Sequence, residues 1–134
     1  MKGRTPLLAL GAFLALGACS LSEGTYPGQC VEGLKSWRNS AESDHALIWN
    51  LIRLQNAGTL SWNGQPVSDE TIVRYLTRVS EMDPRPRISL AIEPGTACSR
   101  VREVRALMQE APICSRDRSC VEDSDWENPG GRQI

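Results

Sequence analysis

Five cysteines constrain this chain of 134 residues more than any other feature: Cys19, Cys30, Cys98, Cys114 and Cys120. An odd number is unexpected in an exported protein, because one thiol is left to oxidise, to pair between chains or to react. The role of the unmatched cysteine therefore has to be assigned before the pairing of the other four can be considered.

Cys19 ends an N-terminal segment with the pattern of a secretory signal. Lys2 and Arg4 supply positive charge, and the apolar run PLLALGAFLALGA follows them. That run is too short to span a bilayer comfortably, because a spanning helix needs about 20 residues. The sequence LGAC at residues 16–19 resembles a bacterial lipobox, in which small residues precede an obligatory cysteine.

The lipobox resemblance implies that residues 1–18 are a cleaved signal peptide and that Cys19 carries lipid, including palmitate. Two or more acyl chains anchor a protein stably, so the mature chain would sit on a membrane and face the periplasm. Ser20 resembles the non-acidic residue that directs such lipoproteins to the outer rather than the inner membrane. The alternatives are an ordinary signal peptide with a chance cysteine at its end, or an uncleaved anchor.

The mature chain is small and slightly acidic. Loss of Lys2 and Arg4 moves the net charge from −1 to −3 and leaves 116 residues, enough for one domain. This charge argues against nucleic acid as a partner, because nucleic acid binds to basic protein surfaces. The four later cysteines are an even set in an oxidising compartment, so two disulfides are expected. They contain no Cys-x-x-Cys spacing, so neither a zinc site nor a thioredoxin-like motif is predicted.

The pattern of apolar residues predicts an α+β domain over residues 45–122, after a lipidated tether at 19–44 and before a disordered polar tail at 123–134. Apolar runs at 45–55 and 59–62 indicate a hairpin, and Asn63-Gly64 a second tight turn. Two amphipathic helices are predicted, one after Ser68 and one from Ala97, separated by the strand RISLAI at 87–92. A last strand is expected at 113–122. The expected order is β-β-α-β-α-β, with both helices packed on one face of a small sheet.

This arrangement also predicts a disulfide pairing. Cys98 lies in the first turn of the second helix, and Cys114 near the start of the last strand. The helix rises about 18 Å, and a strand from Cys114 to Cys120 would travel back about 20 Å. The pairing expected is therefore Cys98–Cys120 and Cys30–Cys114.

The order of these motifs resembles the periplasmic domain of ExbD/TolR-type energy-transduction proteins over roughly residues 45–121. The sharpest shared motif is WNGQPV at 62–67. The resemblance implies the fold, a tendency to form a homodimer, and contact with an envelope protein or with peptidoglycan. Family members carry an N-terminal transmembrane helix with an aspartate for proton transfer. This chain has a lipobox instead, so proton-driven work is not carried over.

Further departures from the family lie in the second half of the domain. Glu93 stands where an aspartate is frequent, Pro94-Gly95 follow it, and Ala111-Pro112 replace a usual glycine. The four extra cysteines are also outside the family pattern.

The sequence predicts no catalytic residue, cofactor or metal site. His45 is the only histidine, at the start of an element, and is expected to be a surface residue. Ser68 is expected to cap a helix. The sequence contains no nucleophile-elbow or phosphate-loop motif. Trp49 and Trp62 are expected to meet across the hairpin and stabilise it, with a ligand-stacking platform as the less favoured alternative.

Five arginines could form a basic strip that docks an anionic partner such as peptidoglycan carboxylates: Arg100, Arg102, Arg105, Arg116 and Arg118. The plainer interpretation is a solvated face paired with Glu103 and Asp117. The predicted function is a non-enzymatic envelope lipoprotein that acts as a binding or scaffold subunit. The alternative is a periplasmic thiol-redox protein or other small enzyme, with Cys98 as the candidate reactive thiol.

Overall fold

A mixed β-sheet with helices on one face forms the domain, which confirms the predicted α+β class. The computed structural model describes residues 23–31, 33, 37–39, 48–123 and 125–129. In these residues the elements are β1 Arg38–Asn39, β2 Trp49–Leu54, β3 Leu60–Trp62, β4 Gln65–Val67, α1 Asp69–Ser80, β5 Arg87–Ile92, α2 Cys98–Glu110, α3 Pro112–Ser115 and β6 Cys120–Asp123. The strands lie in the order β1-β6-β5-β2-β3-β4.

The strands β2, β3 and β4 form an antiparallel meander that ends in an edge strand. Asn63 and Gly64 both have positive φ, 48° and 85°, which confirms the tight turn expected from this residue pair. The prediction missed β4 because Pro66 is a poor strand residue. An edge strand tolerates it, since a proline on the free edge removes no ladder hydrogen bond.

Helix α1 begins and packs as its sequence predicts. The side chain of Ser68 caps it by accepting a hydrogen bond from the N–H of Thr71. Ile72, Leu76 and Val79 recur on one face, and all three are buried. Burial of each side chain of this size stabilises the folded state by about 1.5–3 kcal/mol relative to leaving it exposed.

The central strand β5 is buried over its whole length. Ile88, Leu90 and Ile92 share one core with Val101 and Met108 of α2. On both sides β5 pairs in parallel, with β2 and with β6. The expectation of a strand covered on both faces is confirmed.

The C-terminal part of the described chain lies against the sheet face opposite the helices. Arg53 donates a hydrogen bond to the carbonyl of Trp126 at 3.1 Å, and its guanidinium lies 4.9 Å from the centre of the Trp126 ring. Strand β6 ends at Asp123. Part of the predicted polar tail therefore belongs to the folded domain, and residues 130–134 lie outside the described residues.

The expected contact between Trp49 and Trp62 is not formed. In the hairpin register Trp62 faces Ile52, three residues from Trp49. Because side chains alternate between faces along a strand, Trp49 lies on the opposite face from Ile52. Trp62 instead contacts Tyr75 edge-on, with ring centres 5.3 Å apart.

The last strand is shorter than predicted, and this difference makes the predicted disulfide pairing wrong. The chain forms α3 where an extended strand was expected, because Pro112 suits the first turn of a helix and Ile113 and Cys114 turn into the core. The chain then turns back, so the Cα atoms of Cys114 and Cys120 are 4.9 Å apart and the two residues are bonded. Cys98 pairs with Cys30 across 68 residues of sequence.

Ser80 fixes α3 against the end of α1. Its buried hydroxyl donates to the carbonyl of Leu76 at 2.7 Å and accepts from the N–H of Ile113 at 3.1 Å. Within the described ranges, none of the helices is long and apolar enough to cross a bilayer.

Replacing Ser80 by alanine should lower the free energy of unfolding by about 1–3 kcal/mol, because the buried N–H of Ile113 loses its acceptor. Urea denaturation of the oxidised protein measures this change. Ser115→Ala is the matched control: the Ser115 hydroxyl donates to the carbonyl of Ala111 at an exposed position. Its effect should stay within about 0.5 kcal/mol. Equal losses in both variants would contradict the assigned role of Ser80.

Candidate functional site

Three residues singled out in the sequence, Cys19, Ser20 and His45, lie outside the described residues, as does the predicted signal peptide at 1–18. Residues 24–30, however, are described, and they belong to the segment predicted to be a lipidated tether. Their contacts determine how an anchor at Cys19 would be joined to the domain.

The segment Gly24–Cys30 is bonded to the loop before α2. The N–H of Tyr26 donates to the carbonyl of Thr96, and the N–H of Gly95 donates to the carbonyl of Tyr26, both at 2.9 Å. The N–H of Cys98, at the start of α2, donates to the carbonyl of Gly24 at 3.0 Å. Residues 24–30 of the predicted tether are therefore part of the folded domain.

A disulfide closes this attachment. Cys30 and Cys98 are bonded, with their Cα atoms 5.2 Å apart. Burial of the Tyr26 ring against the domain raises the pKa of its hydroxyl, and the nearby carboxylate of Glu122 raises it further. We name the surface made by Gly24–Cys30 with the loops 55–59 and 93–97 the tether end.

The structure bears on the thiol-redox alternative through the position of Cys98. The residue is only 5% exposed and its sulfur is bonded to Cys30. A reactive cysteine needs both a free thiolate and access for its substrate. In the disulfide-bonded state described here, Cys98 offers neither.

Arg100 is held at the tether end by three acceptor groups. Its guanidinium donates two hydrogen bonds to the Asp69 carboxylate, at 2.6 and 2.8 Å. It also contacts Glu103 at 3.1 Å and donates to the carbonyl of Gly58 at 2.9 Å. These hydrogen bonds raise the pKa of Arg100 and hold the pKa of Asp69 below its ordinary value.

Arg105 lies in the interior between α2 and β6. Its guanidinium donates to both oxygens of Glu122, at 2.5 and 2.9 Å, and to the carbonyl of Val31 at 2.7 Å. The side chains of Arg105 and Glu122 are 8% and 15% exposed. This ion pair joins the helix, the sheet and the segment after Cys30, and it leaves Arg105 unable to meet a partner.

The remaining three arginines are exposed but lie in different places. Arg102 points outward from α2 and approaches Glu23 at 3.7 Å. Arg116 and Arg118 follow α3, at the opposite end of the domain from the tether end. The Asp117 carboxylate binds Arg116 and Arg85, each at 3.1 Å, and the hydrogen bond from Arg116 lowers the pKa of Asp117.

The five arginines thus do not form the continuous strip that their spacing suggested. Arg100 contacts Glu103 and Arg116 contacts Asp117, as the plainer interpretation expected. Arg105 differs, because it pairs with Glu122 and is buried. We name the group that remains exposed, Arg85, Arg116 and Arg118, the far-end arginines. Arg85 was not singled out in the sequence, because only the fold brings it to Asp117.

The carboxylate of Glu93, which stands where the resembled family often has an aspartate, takes part in local structure. Glu93 accepts a hydrogen bond from the N–H of Asn56 at 2.7 Å, which closes the loop after β2. Across the described residues, no three side chains of histidine, cysteine, aspartate or glutamate are grouped closely enough to hold a metal ion.

Comparisons with known proteins leave the family resemblance as an expectation. No protein-family model matches the chain, and the search of curated proteins finds no significant match. The function therefore has to be argued from the chain's own residues.

Replacing Arg105 by methionine should destabilise the domain by about 3–5 kcal/mol, because the Glu122 carboxylate is left buried without its cation. The double variant Arg105→Met/Glu122→Leu should recover most of this loss. Arg102→Met, at an exposed arginine on the same helix, should change stability by less than about 1 kcal/mol. Urea denaturation of the four proteins distinguishes these cases. A double variant no more stable than Arg105→Met would show that buried charge is not the cause.

The Asp69–Arg100 pair should make stability depend on acid pH. A carboxyl whose pKa is lowered in the folded state stabilises the fold above its unfolded pKa, ordinarily 3.8, and loses that effect as pH falls further. Asp69→Asn should lower the free energy of unfolding at neutral pH by at most about 1 kcal/mol, since the pair is partly exposed.

Measuring the free energy of unfolding of both proteins at acid pH tests this expectation. Below the ordinary pKa of 3.8, the stability of Asp69→Asn should approach that of the unchanged protein. Glu70→Gln, at the exposed neighbouring position, is the control for loss of one negative charge. If the difference between Asp69→Asn and the unchanged protein persisted at the lowest pH, the ion pair would not be its cause.

Proposed function

We propose that this chain is a non-enzymatic cell-envelope lipoprotein, anchored through lipid on Cys19 and facing the periplasm. The observation that carries the proposal is the pairing of the other four cysteines. Cys30 is bonded to Cys98 and Cys114 to Cys120, so each later cysteine has a partner within the domain. The odd cysteine then falls at the end of the lipobox, where the thiol is needed for acylation.

The disulfides also support export. Both bonds join residues that pack with the core, and such bonds persist in oxidising compartments rather than in the cytosol. Sorting to the outer membrane rests on Ser20 alone and is part of the same proposal.

The proposed role is binding or scaffolding. The ionisable side chains described above serve ion pairs and loop closure, and the sequence contains no catalytic motif. The parallel β2–β5–β6 core with crossover helices is compatible with the ExbD/TolR resemblance, which supports a place beside an energy-transduction complex or the cell wall. The far-end arginines supply positive charge for an envelope protein or for peptidoglycan carboxylates.

Lipidation is tested by intact mass of the protein extracted from membranes of a bacterial host that processes lipoproteins. The expected mass shows loss of residues 1–18, addition of acyl chains, and no thiol that reacts with maleimide under native conditions. Incorporation of an alkyne-bearing palmitate should be abolished in Cys19→Ser and retained in Ser20→Ala. An unacylated chain with residues 1–18 attached and one reactive thiol would refute the proposal.

The partner is sought by crosslinking the lipidated protein in its own membranes and isolating the complexes. Recovery of motor subunits of the ExbB/TolQ type, or of peptidoglycan fragments, would support the scaffold role. The variant Arg116→Ala/Arg118→Ala should reduce that recovery if the far-end arginines are the docking surface. Arg102→Ala is the control for loss of an exposed arginine elsewhere. A native thiol that turns over disulfide substrates would instead favour the redox alternative.

A further inference from the structure

The point at which the chain joins the domain limits where the domain can sit. The carbonyl of Gly24 accepts a hydrogen bond from the N–H of Cys98, and Thr25 forms a bridge with Ala97. The Cys30–Cys98 disulfide makes the attachment covalent six residues further on. A spacer between lipid and domain therefore has to lie before Gly24.

That spacer is very short. Five residue steps separate Cys19 from Gly24. Even a fully extended chain covers no more than about 3.3–3.6 Å per residue, or about 18 Å in all. If Cys19 carries the lipid, Gly24 stays within this distance of the membrane.

The domain itself is longer than the spacer. Helix α2 has 13 residues and begins at the tether end. Its length of about 20 Å gives the minimum separation between the tether end and the far end. Turning the domain over, so that the far-end arginines touch the bilayer, would lift Gly24 by more than the spacer allows.

The charges at the tether end are compatible with a lipid surface. Arg100 is neutralised by Asp69 and Glu103, and the Glu93 carboxylate accepts from the loop at Asn56. The exposed residues of this end are uncharged, among them Gln29, Gln55 and Ala57. Headgroup contact at this surface would leave the ion pair of Arg100 intact.

We infer that the tether end is a membrane-contact surface: the lipid on Cys19 holds Gly24–Cys30 and the loops 55–59 and 93–97 against the headgroups. The far-end arginines then face away from the bilayer. This inference rests on the proposed lipidation of Cys19 and adds an orientation that lipidation alone does not specify.

Photo-crosslinking in native membranes tests the orientation. A benzoylphenylalanine placed at Ala57, an exposed turn residue of the tether end, should crosslink alkyne-bearing phospholipid. The same group at Ser115, an exposed residue beside the far-end arginines, is the matched control and should crosslink at background level. Equal yields at the two positions, or a higher yield at Ser115, would overturn the inference.

A second variant separates the tether from any lipid affinity of the domain itself. A Gly/Ser spacer of about 20 residues inserted between Ser22 and Glu23 gives a root-mean-square reach of about 25 Å. It should reduce the Ala57 crosslink to the level of Ser115. An undiminished crosslink would show that the short spacer is not what holds this surface to the membrane.

Intact mass of each crosslinking sample keeps the two proposals apart. Acylated protein without the Ala57 crosslink would overturn the orientation and leave the lipoprotein function standing. Unacylated protein would overturn the lipoprotein function and, with it, the basis for the orientation.

Discussion

Burial of β5 on both faces is the constraint on which the rest of the domain depends. All six of its residues are buried, and it is hydrogen-bonded in parallel to β2 and β6. Parallel neighbours cannot be joined by tight turns, so the chain has to cross over through α1 and then α2. Those crossovers place both helices over Ile88, Leu90 and Ile92, and they bring the start of α2 to the end where Gly24–Cys30 attaches.

Elements whose cause is local could be predicted from the sequence. Ser68 caps α1, and the apolar spacing of Ile72, Leu76 and Val79 defines the buried face of that helix. Asn63-Gly64 forms the turn between β3 and β4 because both residues accept positive φ. These signals act within a few residues, so a sequence carries them in full. The α+β class followed from the order of such signals along the chain.

Features set by distant contacts were not predictable in the same way. The pairing of the cysteines depends on whether residues 112–119 are extended, and Pro112 instead begins the short helix α3 there. The arginines of α2 show the same limit. Arg105 and Arg100 bind carboxylates 17 and 31 residues away in sequence, which helical spacing does not reveal. The Arg53–Trp126 contact likewise joins residues with no local relation.

The Cys30–Cys98 bond also determines how mechanical load would pass through an anchored chain. Tension applied at Cys19 reaches the disulfide before it reaches β1, a strand of only two residues. The covalent path delivers the load to the first turn of α2, whose apolar face is embedded in the core. A short edge strand, which would otherwise peel away first, is thereby kept out of the line of force.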